Sequence, residues 1–142
     1  MHATLVCANA EHLPFPGDTF ATVTAHDLVE HVADPAPVFG ECRRVARSGA
    51  ACCFSTNNRY SLLPEPHVGV WGVGWLPRSW QADYVRLASG RPYCHICLRS
   101  AGELERWARA AGFADCHVSA APPSTDPDHW PRGQALYNRM RR

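Results

Sequence analysis

Glu30 and His31 stand side by side, and such a pair is a candidate for proton transfer. Imidazole changes charge near neutral pH, and a carboxylate beside it can hold one tautomer in place. A purely structural role competes with that reading. The second grouping with chemistry in it is Cys94-His95-Ile96-Cys97, with Cys116-His117 further along. Thiolates and imidazoles at such spacings bind zinc tetrahedrally. However, the pair falls in a segment that reads as a strand, where side chains three apart face opposite ways. A zinc knuckle wants both thiolates in one tight turn and a second pair at the proper distance. A redox role is weaker still, because that motif belongs at the start of a helix after a strand.

The elements that must position these residues follow from the apolar pattern. Thr4–Ala8 is a short apolar run that reads as a buried strand, and Leu13–Asp18 is a turn-rich loop with two prolines. Phe20–Ala25 reads as a second strand. Asp34 is a plausible N-cap with Pro35 in the first helical position, and Gly49 is expected just past the helix end. Val38, Phe39, Cys42, Val45 and Ala46 form its apolar stripe. Ala50–Ser55 is a continuous apolar strand. The order strand, helix, strand implies a mostly parallel α/β sheet, with strands covered on both faces.

Residues 61–77 hold three prolines, three glycines and two tryptophans. A loop of that length inside a compact domain is usually functional. Helical spacing returns over Ser79–Ser89, with Trp80, Tyr84, Leu87 and Ala88 aligned and Gly90 as the stop. Tyr93–Leu98 is expected to be a strand. Ser100 and Glu103 form a capping box for a helix ending at Gly112, with Leu104, Trp107, Ala108 and Ala111 inward. Cys116–Ala120 is expected to be a last strand.

Composition narrows the field. The 142 residues permit one domain, with 46% hydrophobic and 19% charged residues, an ordinary globular balance. A formal net charge of +1 gives no field for nucleic acid or an anionic membrane. The basic tail Arg139, Arg141 and Arg142 reads as a solvated helix end. No stretch approaches the roughly 20 apolar residues of a membrane span, nor is there an N-terminal leader pattern. Seven scattered cysteines then read as reduced thiols. A cytoplasmic protein is expected.

Several segments in order resemble the type 11 family of class I S-adenosylmethionine-dependent methyltransferases. They are Ala10-Glu11-His12-Leu13-Pro14-Phe15, Asp18-Thr19-Phe20 and His26-Asp27-Leu28-Val29-Glu30-His31-Val32-Ala33-Asp34-Pro35. Glu41 to Gly49, the strand into Ser55-Thr56-Asn57-Asn58, and Leu98 to Phe113 continue the likeness. The resemblance implies a Rossmann-like α/β sheet with helices on both faces. It also implies S-adenosyl-L-methionine as cofactor and methyl transfer to a small-molecule oxygen, nitrogen or carbon.

On this resemblance, Asn9, Ala10 and Glu11 meet the adenine. His26 and Asp27 approach the methionine part from the carboxyl end of a strand, with Leu28 and Val29 packing near the adenine or the sulfonium. His67, in Pro64-Glu65-Pro66-His67, and His31 are the candidates for acting on the acceptor. A base is optional here, because the sulfonium already carries the charge and positioning does much of the work.

The sequence departs from the family in having no GxGxG loop and no acidic residue on a following strand. Asn9 stands where an aspartate is usual. The likeness implies a sheet truncated at the N-terminus, with its first two strands absent and weak or absent turnover by this chain alone. Residues 1–121 form the partial methyltransferase domain, with 61–77 inserted over the acceptor side, and 122–142 a loop and short tail. Two other readings stay open. One is a non-catalytic fragment acting through association with itself or with a full-length homologue. The other is a zinc module built on Cys94 and Cys97.

Overall fold

A computed structural model of the chain describes residues 4–119. The expected tail 122–142 and Ala120 lie outside the described residues. The regular elements are β1 (Phe20–His26), α1 (Pro35–Val45), β2 (Ala46–Ser55), α2 (Arg78–Ser89) and α3 (Ala101–Ala110). Single 3-10 turns span Val29–His31 and Val73–Trp75. Among the described residues no helix is long and apolar enough to cross a membrane.

The two strands pair in parallel, with Thr22 opposite Ala51 and His26 opposite Ser55. A parallel pair needs a crossover, and α1 supplies it. Its start follows the local chemistry. The Asp34 carboxylate accepts from the amide of Ala36 at 3.0 Å, and Pro35 occupies the first turn. Val38, Phe39, Cys42, Val45 and Ala46 are buried as the stripe requires. Each large apolar side chain so buried contributes roughly 1.5–3 kcal/mol. Phe39 stacks on Phe54 of β2 at 4.3 Å between centroids, and Phe39 meets Trp107 of α3 at 6.2 Å. Both helices therefore pack on the Phe54 side of the sheet. Ala51, Cys53, Thr22 and Thr24 are exposed, so among the described residues the opposite face is open.

The helix ends earlier than expected. Ala46 turns extended and pairs with Phe20, while Arg47–Ala50 bulge out before Ala51 resumes pairing with Thr22. Gly49, at φ +76°, serves that bulge and not a helix cap.

Three expected strands are not formed. Thr4–Ala8 is exposed coil with Leu5 95% accessible. An apolar run becomes a strand only beside a partner, and none adjoins it among the described residues. Tyr93–Leu98 is a loop with His95 at φ +60°, tied to its neighbours by single contacts such as that of the Cys97 amide with the Glu30 carbonyl. Residues 116–119 are likewise irregular.

α2 also turns a different face inward. Gln81 and Val85, four apart, are buried, whereas Trp80, Tyr84 and Leu87 are exposed, Leu87 at 89%. Its neighbour decides this. Val68, Val70, Val73, Val85 and Tyr93 form a cluster with Ile96 against them, so the 61–77 segment makes its own small core with α2 and the 93–96 loop. At α3 the capping box is complete: Ser100 Oγ accepts from the Glu103 amide, and the Glu103 carboxylate accepts from the Ser100 amide at 2.8 Å.

Candidate functional site

The site grows from the carboxyl ends of the two parallel strands. β1 ends at His26, whose Nδ1 hydrogen-bonds Ser55 Oγ at 2.7 Å across the last register pair. The Asp27 amide donates to the Ser55 carbonyl at 2.9 Å, and Asp27 sits at φ +48°, a left-handed conformation that aspartate tolerates. That kink ends the strand, and the chain passes through Leu28 into the Val29–His31 turn. His26 and Asp27 are exposed at the strand end. This is where ligands of open α/β sheets bind.

The turn carries Glu30 inward and His31 outward. Glu30 is fully buried. Its Oε2 accepts from Thr56 Oγ1 at 2.6 Å, its Oε1 accepts from Asn57 Nδ2 at 3.4 Å, and its carbonyl accepts from the Cys97 amide at 2.7 Å. Thr56 and Asn57 directly follow β2, so both strand ends converge on this carboxylate.

His67 arrives from the other side. Glu65 closes a tight turn, its amide donating to the Val70 carbonyl at 2.8 Å and its carbonyl accepting from Gly69 at 2.7 Å. His67 is lifted to the tip, with Nδ1 against Glu65 Oε1 at 2.5 Å. The second oxygen of buried Glu65 accepts from the Val68 amide at 3.0 Å. His31 and His67 meet edge to face, centroids 5.4 Å apart. The two histidines singled out in the sequence are thus brought together. Burial pushes the Tyr93 hydroxyl upward, and the nearby Glu65 charge adds to that; among the described residues the buried hydroxyl has no hydrogen-bond partner.

A cavity of about 470 Å³ opens beside this cluster. Asn57, Asn58, Arg59, Leu63, Glu65 and Gly74 are among its lining residues. Trp71 and Trp75 do not line it; both are exposed.

Asn9, Ala10 and Glu11 form a separate turn. Asn9 Oδ1 accepts from the Glu11 amide and the Asn9 carbonyl from the His12 amide, both at 3.0 Å. The Asn9 side chain is therefore already used in shaping its own loop.

Cys94 and Cys97 lie in a loop and not in the expected strand, and all seven thiols are free. Among the described residues, the one cluster of three potential metal ligands is Glu30, His31 and His67, and the cysteines belong to no such cluster. The sequence reading missed Glu65, Thr56 and Asn57. The one local signal was Glu65, two residues before His67 in a proline-flanked turn.

Residues 1–54 match a family described as a methyltransferase domain. Over 132 residues the chain is 33% identical to a ubiquinone/menaquinone biosynthesis C-methyltransferase of Desulfotalea psychrophila, covering 88% of this chain and 52% of that protein. It is 37% identical over 99 residues to a ubiquinone biosynthesis O-methyltransferase of Methylococcus capsulatus, covering 69% of this chain and 37% of that one. The chain thus spans about half the length, or less, of these curated relatives. Among solved structures it is similar to a SAM-dependent methyltransferase of Thermotoga maritima described as a possible histamine N-methyltransferase. The TM-score is 0.53 at 22% identity, over 74% of this chain and 43% of that one. That likeness speaks to the fold, and agrees with a parallel α/β sheet of Rossmann-like kind.

Proposed function

The chain belongs to the class I methyltransferase family, and from that premise we propose that it takes part in methyl transfer from S-adenosyl-L-methionine to a small-molecule acceptor. The observation that carries this reading is the convergence of His26, Asp27, Glu30, Thr56 and Asn57 on one end of a parallel strand pair. Open α/β sheets bind their ligands there.

In this reading His26 and Asp27 face the methionine part of the cofactor, Leu28 packs near the adenine or the sulfonium, and Asn9, Ala10 and Glu11 meet the adenine. His31 and His67 act on the acceptor side. The reaction is an in-line displacement, in which a lone or π electron pair of the acceptor takes the methyl as the carbon–sulfur bond breaks, and the acceptor's proton passes to solvent. Neutral S-adenosylhomocysteine leaves, so positioning supplies much of the rate. An acceptor with a ring or apolar part is supported by Leu63, Pro64, Val73 and Leu98 in the cavity wall. The names of the two quinone-biosynthesis relatives point the same way. The same reading takes the chain as cytoplasmic, with its seven scattered cysteines as reduced thiols.

Calorimetric titration of S-adenosylhomocysteine into the purified chain, with circular dichroism verifying the fold, tests the proposal. Saturable micromolar binding, weakened by His26→Ala, is the expected outcome. A folded chain that takes up no cofactor product sinks these assignments.

Exposed Leu5 and Val6, and the apolar outer face of α2, favour a second reading of association with another copy or a longer relative. Light scattering across a concentration series distinguishes it, since a monomer at every concentration excludes self-association.

A further inference from the structure

Glu30 presents an electrostatic problem. A carboxylate with no exposed surface keeps its charge only where something compensates the lost water. Thr56 and Asn57 offer dipoles, not charge. Among the described residues no arginine or histidine nitrogen forms an ion pair with Glu30. Arg99, the buried guanidinium of the neighbouring loop, spends its Nη2 on the carbonyls of Val32 and Ala33. A second buried carboxylate, Glu65, stands behind His67.

What faces Glu30 instead is a pair of imidazoles. One ligand atom each from Glu30, His31 and His67 lie within 4.8 Å of one another. A point central to three such atoms is within about 2.8 Å of each, so closing by roughly 0.6 Å gives the bond lengths of a cation held by nitrogen and oxygen. The surroundings have the form of a metal site's outer shell. His67 Nδ1 is hydrogen-bonded to Glu65, which leaves Nε2 free of a proton in the neutral ring, and Glu30 is oriented by Thr56.

We infer that Glu30, His31 and His67 bind one divalent transition-metal cation. Two imidazoles with a carboxylate select zinc, cobalt or iron(II) over magnesium and calcium, which prefer oxygen alone. Three protein ligands leave a coordination position open, as in catalytic zinc sites. Asn57 and Glu65 both belong to the cavity wall, so that position lies next to the cavity. The two histidines then act as ligands and not as free bases, and Glu65 is a positioning residue. This goes beyond the methyl-transfer reading. It is measured with neither cofactor nor acceptor present, so either can fail without the other.

Cobalt(II) titrated into the purified, reduced chain, followed by its visible absorption and by displacement with zinc, tests the site. One equivalent is expected, without the near-ultraviolet band of a cobalt–thiolate bond. The double variant Cys94→Ser/Cys97→Ser should bind as the wild type does. His67→Ala, at an exposed turn tip, should weaken binding about tenfold or more, and Glu65→Gln by about ten- to a hundredfold. Circular dichroism verifies that each variant folds. A folded wild-type chain that binds neither cobalt nor zinc overturns the inference. So does binding that survives His67→Ala and disappears in the cysteine variant.

Discussion

Arg59 and Gly74 interlock. The Arg59 guanidinium donates through Nε to the Gly74 carbonyl at 2.8 Å, while the Arg59 carbonyl oxygen occupies the place of a side chain on Gly74. A β-carbon there would lie 1.8 Å from that oxygen. The same guanidinium reaches the Leu76 carbonyl at 3.2 Å, so one arginine fastens the strand-end segment to the far wall of the cavity. Gly74→Ala must push the two backbones apart, and overpacking of that kind costs about 1–3 kcal/mol. Gly40, inside α1, has nothing within 4 Å of the place a β-carbon would take, and alanine there should stabilise by roughly 0.5–1 kcal/mol. Urea unfolding of the two variants should therefore move in opposite directions. Midpoints that shift alike would mean the Arg59–Gly74 contact is not as close as stated.

Burial of α1 on the sheet has a chemical readout in its cysteine. Loss of water around the Cys42 thiol pushes it up to about 11, with Cys52 and Glu41 nearby adding to the shift. A thiol so held is almost wholly protonated near pH 8 and shielded from reagent. Cys7, Cys53 and Cys94 are exposed. Alkylation of the native chain near pH 8, mapped by mass spectrometry, should mark those three and spare Cys42 until denaturant is added. Labelling of Cys42 as fast as Cys94 would place α1 off the sheet.

Elements that announce themselves locally were legible. Asp34-Pro35 begins α1 and Ser100 with Glu103 begins α3, because a cap is made by residues two or three apart. The buried stripe of α1 followed from its period alone. The run Thr4–Ala8 has the same apolar character as a strand, yet pairing is decided by a neighbour and not by the run itself. In α2 two faces competed, Trp80 with Tyr84 against Gln81 with Val85, and the valine cluster of the 61–77 segment selected the second. Tertiary context chose it. The site divides along the same line. Glu30 and His31 were visible as neighbours, whereas the approach of His67 depends on a turn closed by Glu65, far along the chain from both. Thr56 and Asn57 act only because a bulged strand ends beside Glu30.

Glu103 ties α3 to α2 as well as capping it. Its carboxylate accepts from Arg78 Nη2 at 2.8 Å and from the Ser100 amide and hydroxyl at 2.8 and 2.9 Å. Partial burial alone would raise this carboxyl. The Ser100 amide, the Arg78 guanidinium and the Ser100 hydroxyl outweigh that and lower it from 4.5 to about 2. A carboxyl depressed on folding contributes stability that is complete above its unfolded value and is lost as pH falls through the window from 4.5 towards 2. Glu103→Gln keeps the shape and removes the charge, so it should be less stable than wild type near neutrality. The two midpoints should then converge as pH drops from about 6 to about 3. Ser100→Ala removes the cap itself and should cost about 1 kcal/mol near neutrality. The comparison needs urea midpoints of the three proteins at matched ionic strength, because the Arg78 pair is partly screened by salt. If the gap between wild type and Glu103→Gln stays constant down to about pH 3, Glu103 is not held below the usual carboxylate range, and the α2–α3 tie is a neutral contact.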